Sequence, residues 1–217
     1  MPGPKLVKGA LVILRDGQNA NIIAFQYNPE TLTRSFTPHY IGGKNGNQAE
    51  RVRFQGAPTE TISVDVMIDS IDQMADGKSK NSDGIHPQLA ALELLGSPTM
   101  DEIRKSVTTL DNGSIEIQPS EVPLTVFVYG PNRVAPVTVD SVTVTEELHD
   151  PSLNPIRAKV SMKLSVISYS TTPKGTKGFE TYMNYQARKE KMAGTVGVRS
   201  SSGTVRASVS DYLSNKR

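Results

Sequence analysis

Ile156-Arg157-Ala158-Lys159-Val160-Ser161-Met162-Lys163-Leu164-Ser165-Val166 decides the fold, because its apolar residues recur at every second position over eleven residues. Successive side chains of a strand point to opposite faces, so Ile156, Ala158, Val160, Met162, Leu164 and Val166 share one face. Arg157, Lys159, Ser161, Lys163 and Ser165 take the other. At ~3.3 Å per residue the run reaches about 36 Å, well beyond a usual strand of ~5 to 6 residues, and predicts the wall of a long sheet or barrel. The face bearing Arg157, Lys159 and Lys163 must meet water, a lumen or acidic groups.

Outward from this strand the same period returns. Ile62, Val64, Val66 and Ile68 alternate with Ser63, Asp65, Met67 and Asp69 from Thr59 onward. Leu124 to Tyr129 and Val134 to Glu147 form two more runs, joined by Gly130-Pro131-Asn132, a turn signal. In the second run the apolar parity switches between Val137/Val139 and Val142/Val144, which a β-bulge near Asp140 reconciles. Lys5 to Arg15 and Asn21 to Tyr27 read as a hairpin through Asp16-Gly17. Thr31 to Tyr40 is a third run, ending in Gly42-Gly43-Lys44-Asn45-Gly46-Asn47, a loop without regular structure.

Helical signals are few. His86 to Leu95 has Pro87 in a plausible first turn and Gly96 as a stop, and Ser97 to Glu102 opens a second short helix. Gly178 to Met192 spaces Phe179, Tyr182, Met183, Tyr185 and Gln186 at helical intervals, and Gly194 to Arg217 reads as flexible or ordered only by a partner. The expected fold is mainly β with a small helical insert (α+β): an antiparallel β-sandwich or partly closed barrel. Residues 1–173 form the β domain, with the insert at about 85–106, and residues 174–217 a basic C-terminal helix and tail.

The 217 residues suffice for one substantial domain. A hydrophobic content of 36% without tryptophan is lean and suits a surface partly covered by neighbouring subunits. No cysteine is present, which excludes disulfides, thiolate zinc sites and thiol catalysis and fits assembly in a reducing cytoplasm. The apolar run Ala10 to Leu14 is too short for a signal-peptide core or a membrane span. The net charge of +2 hides an asymmetry: residues 174–217 carry nine Lys or Arg against three acids, so that segment is +6 and the preceding 173 residues are −4. Such a tail suits an acidic partner, nucleic acid or a neighbouring copy.

Between the second and third runs lies Phe25-Gln26-Tyr27-Asn28-Pro29-Glu30-Thr31-Leu32-Thr33-Arg34. Pro29 fixes its own φ and holds Asn28 out of the helical region, so the chain bends between two extended segments. Through Phe25, Tyr27, Asn28, Pro29 and Leu32, and through the order of strands, helical insert and strands over about residues 5–170, the chain resembles the tube-like domain of baseplate hub proteins from contractile injection systems. These are phage-tail-like particles that drive a tube through a target envelope.

The resemblance implies a non-enzymatic structural part: a six-fold homo-oligomeric ring that joins the inner tube or tube initiator to the spike hub and wedge or sheath. It would be assembled in the cytoplasm, within a particle that is released or attached to the envelope. Many relatives carry a peptidoglycan-binding LysM module after this domain, and nothing after Lys191 offers its strand-helix-helix-strand pattern. Under the resemblance, Phe25, Tyr27, Asn28, Pro29 and Leu32 form an assembly motif. Tyr27, Asn28 and Pro29 shape a turn between adjacent strands, and Phe25 and Leu32 anchor it. Lys44, Arg157, Lys159, Lys163, Phe179, Tyr182, Tyr185, Arg188 and Lys189 are candidate interface residues. The rival readings are an inner tube or tube-initiator subunit and a free-standing cell-wall or carbohydrate-binding module, the latter disfavoured by the absence of tryptophan.

Catalytic and cofactor sites find no support. His39, His86 and His149 lack metal-ligand spacing. Asp72, Asp76, Gly77 and Asp83 match four positions of a calcium loop, but Met74 and Lys80 stand where hard ligands belong. Gly43-Lys44 lacks both the leading glycine and the hydroxyl of a phosphate loop. Tyr27, Phe36, Phe54, Phe127 and Tyr129 interleave with Arg34, Arg51 and Arg53, yet Val52/Phe54 and Arg51/Arg53 take opposite faces. The aromatics therefore read as core and not as a nucleic-acid platform.

Overall fold

Alternation between apolar and polar side chains organises one seven-stranded antiparallel sheet in the computed structural model, which describes residues 7–15, 21–42, 52–71, 83–104 and 122–199. Its strands are β1 (Ala10–Leu14), β2 (Asn21–Ala24), β3 (Leu32–Thr37), β6 (Thr59–Asp69), β7 (Leu124–Val128), β8 (Val134–His149) and β9 (Pro155–Val166). The order across the sheet is β2-β1-β7-β8-β9-β6-β3. A separate ribbon pairs β4 (Tyr40–Ile41) with β5 (Arg53–Phe54). The run expected from Thr31 to Tyr40 is thus split at Pro38 and His39, where proline's missing N–H interrupts a ladder.

The two strictly alternating runs are neighbours. Ile62, Val64, Val66 and Ile68 stand opposite Leu164, Met162, Val160 and Ala158, and all eight are buried. On β8 the ladder to β9 shifts register between Val139 and Ser141, placing the bulge at Asp140. Without it, Val142 and Val144 would face away from the core that Val137 and Val139 join; all four pack against or within it.

The sheet is curled but not closed. Ile23 and Phe25, at the β2 edge, line a cavity of about 70 Å³ together with Val66, Ile68 and Met162 from β6 and β9, so opposite ends of the strand order face one another across the core. Helical elements cover this core. Helix α1 (His86–Glu93) and the 3₁₀ turn Leu94–Gly96 bury Ile85, Leu89, Leu92 and Leu95 beside Ile68. Gly84 permits this docking: its φ is +57°, and a Cβ there would lie 2.2 Å from the Pro155 carbonyl oxygen. The second short helix begins at Met100 with a capping box, the Thr99 hydroxyl accepting from the Glu102 N–H at 3.3 Å and the Glu102 carboxylate accepting from the Thr99 N–H at 2.6 Å.

Helix α2 spans Lys177–Arg199 and packs on β8. The sequence reading stopped it near Met192 and made residues from Gly194 onward flexible or ordered only by a partner; residues 194–199 continue the helix. An interior glycine costs about 1 kcal/mol relative to alanine, but propagation from an established helix continues through it. The Gly42–Asn47 loop beyond Gly42, with Lys44, lies outside the described residues, as do Asp72, Asp76 and residues 200–217.

Candidate assembly surfaces

The run from Phe25 to Leu32 does not connect adjacent strands. It carries the chain from β2 at one edge of the sheet to β3 at the other, correcting the expected turn. Phe25, Gln26, Asn28, Pro29 and Leu32 are tied down on the way. Phe25 is buried with its ring 6.3 Å from Phe127. The Gln26 side-chain amide donates to the Asp69 carbonyl at 2.7 Å and accepts from the Asp69 N–H at 2.9 Å. Strand β3 accompanies β6 only as far as Val64, so Gln26 fills a ladder position beyond the reach of β3. Asn28 accepts from the Gly9 N–H at 2.8 Å and donates to the Val7 carbonyl at 2.9 Å. A Cβ on Gly9 would meet Phe25 at 2.8 Å and Tyr129 at 2.9 Å, so glycine is needed for this approach. The Tyr129 hydroxyl donates to the Pro29 carbonyl at 3.3 Å. Leu32 packs against the core, and Tyr27 is exposed.

Asp69 is also held from the side of β9. Its carboxylate accepts from Arg157 Nε at 2.7 Å and Nη2 at 2.6 Å and from the Ile71 N–H at 2.8 Å. One strand-pair further along, Lys159 pairs with Asp65 at 2.8 Å. The Lys159 hydrogen bond, followed by that of Ser161, holds the Asp65 carboxyl below the ordinary aspartate value. The basic face of β9 therefore meets the acids of β6, which leaves Lys163 as its exposed cation without a close carboxylate among the described residues.

Where α2 meets β6, a carboxylate is buried. Glu60 accepts from the Tyr185 hydroxyl at 2.7 Å and from Lys189, with Arg34 at 3.6 Å. Burial, reinforced by the Glu60 carboxylate beside it, pushes the Tyr185 phenol well above its ordinary value. Tyr185 and Tyr182 are 2% and 6% exposed, so these two expected interface residues belong to the chain's own interior; Phe179 is half-buried. Their helical spacing marks the face that docks on the sheet, which sequence alone cannot distinguish from a face awaiting a partner. Arg188 is exposed and Lys189 is engaged by Glu60.

Above Glu60 an open groove of about 630 Å³ lies between β3, the β7–β8 turn and α2, bordered by Arg34, Phe36, Tyr129, Arg133, Lys189 and Met192. Phe36 is 60% exposed and Phe54 77%, overturning their expected place in the core. Phe36 sits on an edge strand, and Phe54 lies on the two-stranded ribbon with its ring 5.4 Å from that of Tyr40. Sequence reasoning missed Gln26, Arg34 and Glu60 as organising residues. Gln26 sits inside the quoted run, while a Glu at the head of an apolar face, in register with Ile62, was the available sign of Glu60.

Among the described residues no three His, Asp or Glu side chains gather to hold a metal, and no helix is long and apolar enough to cross a membrane. Two solved structures share limited likeness with this chain: the virion of a native gene transfer agent particle (12% identity, 72% of this chain and 90% of that chain, TM-score 0.32) and the tail of an empty gene transfer agent particle with C6 symmetry (11%, 73% and 90%, 0.32). No curated protein matches. Residues 12–174 match the family described as contractile injection system tube protein, and the chain belongs to that family.

Proposed function

We propose that this chain is a non-enzymatic structural subunit that forms a homo-oligomeric, six-fold ring in the tube stack of a phage-tail-like particle. Its place is the baseplate end, where the ring joins the inner tube or tube initiator to the spike hub and wedge. The observation that carries ring formation is the open sheet: β2 and β3 are both edge strands with no further strand paired outside them among the described residues. Exposed edges are templates for strand addition, and joining the β3 edge of one copy to the β2 edge of the next is a head-to-tail contact that closes when the rotation is right. Within this reading the Phe25–Leu32 crossing fixes both edges at once, since Asn28 holds the entry to β1 and Leu32 opens β3.

Within this reading the distal half of α2 faces the wedge or sheath. An inner tube or tube-initiator subunit is the second reading, favoured by the family's description. Native mass analysis and negative-stain microscopy of the chain, alone and with tube subunits, test these readings. A single ring that caps tube ends supports the adaptor; stacked rings of this chain alone support the tube subunit; a monomer indifferent to tube protein overturns both.

A further inference from the structure

Strand β8 has chemically opposite surfaces at its two ends. At its start lies the groove beside Arg133, and at its finish the β8–β9 hairpin tip. The strand's sixteen residues separate them by about 50 Å if straight.

The tip is acidic, apolar and rigid. Glu146, which lies 2.9 Å from His149 Nε2, and Glu147 are exposed, as are Leu148 at 45% and Leu153 at 79%. Leu153 has the highest fractional exposure of the large hydrophobic residues described, and its φ of +66° is the sole positive value among the described non-glycine residues. A leucine in the left-handed region carries a conformational cost. The turn imposes it: the Asp150 carboxylate accepts from the Ser152 N–H at 2.7 Å, the Asn154 N–H at 2.8 Å and the Asn154 side-chain amide at 2.9 Å, while Leu153 N–H donates to the Asp150 carbonyl at 3.0 Å. The side chain is thus held out into water by a turn with four hydrogen bonds to Asp150.

The groove is the complement. Arg34 and Lys189 share the single carboxylate of Glu60, and Arg133 rests over the Tyr129 ring at 5.6 Å with no carboxylate at ion-pair distance among the described residues. Three cations against one anion leave the rim positive, and Phe36, Tyr129 and Met192 give the walls apolar surface. We infer that the β8–β9 tip of one copy docks in this groove of another copy, with Leu153 against the apolar wall and Glu147 facing Arg133. The two surfaces differ, so the contact is heterologous and stacks copies along the strand direction, separate from joining at the sheet edges; it follows the second reading, an inner tube or tube-initiator subunit, and not a ring that stops at one. This contact rests on the reading that the chain assembles with its own copies.

The absence of native cysteine gives a clean test. One copy bearing Leu153→Cys is mixed with another bearing Asn132→Cys under mild oxidation, beside a charge swap of Glu147→Arg with Arg133→Glu. The expected result is a disulfide-linked pair between the two copies. Either charge reversal alone should weaken association at least tenfold, and the two reversals on separate copies should restore it. Higher salt should weaken the unmodified contact. Rings that form without the cross-link, and with no response to charge reversal, overturn the docking and leave the ring reading intact. A chain that never associates with itself, even beside tube subunits, overturns both.

Discussion

The two ends of β6 are covered by helices in opposite ways. At the Ile68 end, Ile85, Leu89, Leu92 and Leu95 exclude water by apolar packing, each at most 4% exposed. At the Glu60 end, α2 brings Tyr185 and Lys189 to a buried carboxylate and leaves a groove open above it. Burying apolar side chains is non-directional and stabilises by area, whereas a buried carboxylate demands that each partner be in place. The first end is suited to holding the fold, and the second to presenting a defined charged surface.

The comparison is broken most severely at the apolar end. Leu92→Ala removes a side chain 3% exposed that lines the interior cavity, and should cost about 2–5 kcal/mol in chemical unfolding. A cost below about 1 kcal/mol would mean that the insert contributes little to stability. At the polar end, Glu60→Gln keeps the shape but removes the charge shared by Tyr185, Lys189 and Arg34, for an expected loss of about 1–3 kcal/mol. Tyr185→Phe, which deletes one hydrogen bond to a charged acceptor, should cost about 1.5–3 kcal/mol before any gain from burying the apolar ring edge, and so fall at or below the Glu60 change.

Tyr185 also sharpens the comparison through pH. Its phenol titrates higher in the folded chain than in the unfolded one, where the value is ~10. Its contribution is therefore fully present below pH ~10 and is lost as pH rises above that, because the unfolded chain releases the proton first. The alkaline fall in melting temperature should flatten in Tyr185→Phe. A residual slope should remain from Tyr182, which burial raises in the same direction. An unchanged alkaline limb would remove Tyr185 from the account.

Much of the architecture was legible because period-two patterning reports which face of a strand is buried. It identified the core faces of β6 and β9 and located the bulge at Asp140 from a parity switch alone. It could not tell that β2 and β3 lie at opposite edges. A turn-forming Asn-Pro is compatible with a hairpin or a crossing, and the difference is made by the distant partner Asp69, to which Gln26 bonds. Tyr182 and Tyr185 were misread for a related reason: amphipathic spacing shows that a helix face is covered, not what covers it. The groove was illegible because Arg34, Glu60, Arg133 and Lys189 come from four separate segments.

The smallest expected effect lies at the hairpin tip, far from either helix. The half-buried Asp150 carboxyl is held below its ordinary value first by Asn154 and then by the Ser152 N–H. Its contribution is present above the ordinary value of 3.8 and fades as pH falls through its lower folded value. Asp150→Ala should leave the melting temperature within experimental error while amide exchange at Ser152 and Asn154 quickens; unaltered exchange would show that the turn does not depend on this carboxylate. The same substitution loosens the turn that holds Leu153 while leaving Glu146, Glu147 and the groove in place, but it also removes one negative charge from the tip, so its effect on association is read at low and at high salt. A weakening that persists at high salt with the fold intact would assign part of the docking to pre-organisation of the leucine, since ordering a mobile loop on binding opposes affinity.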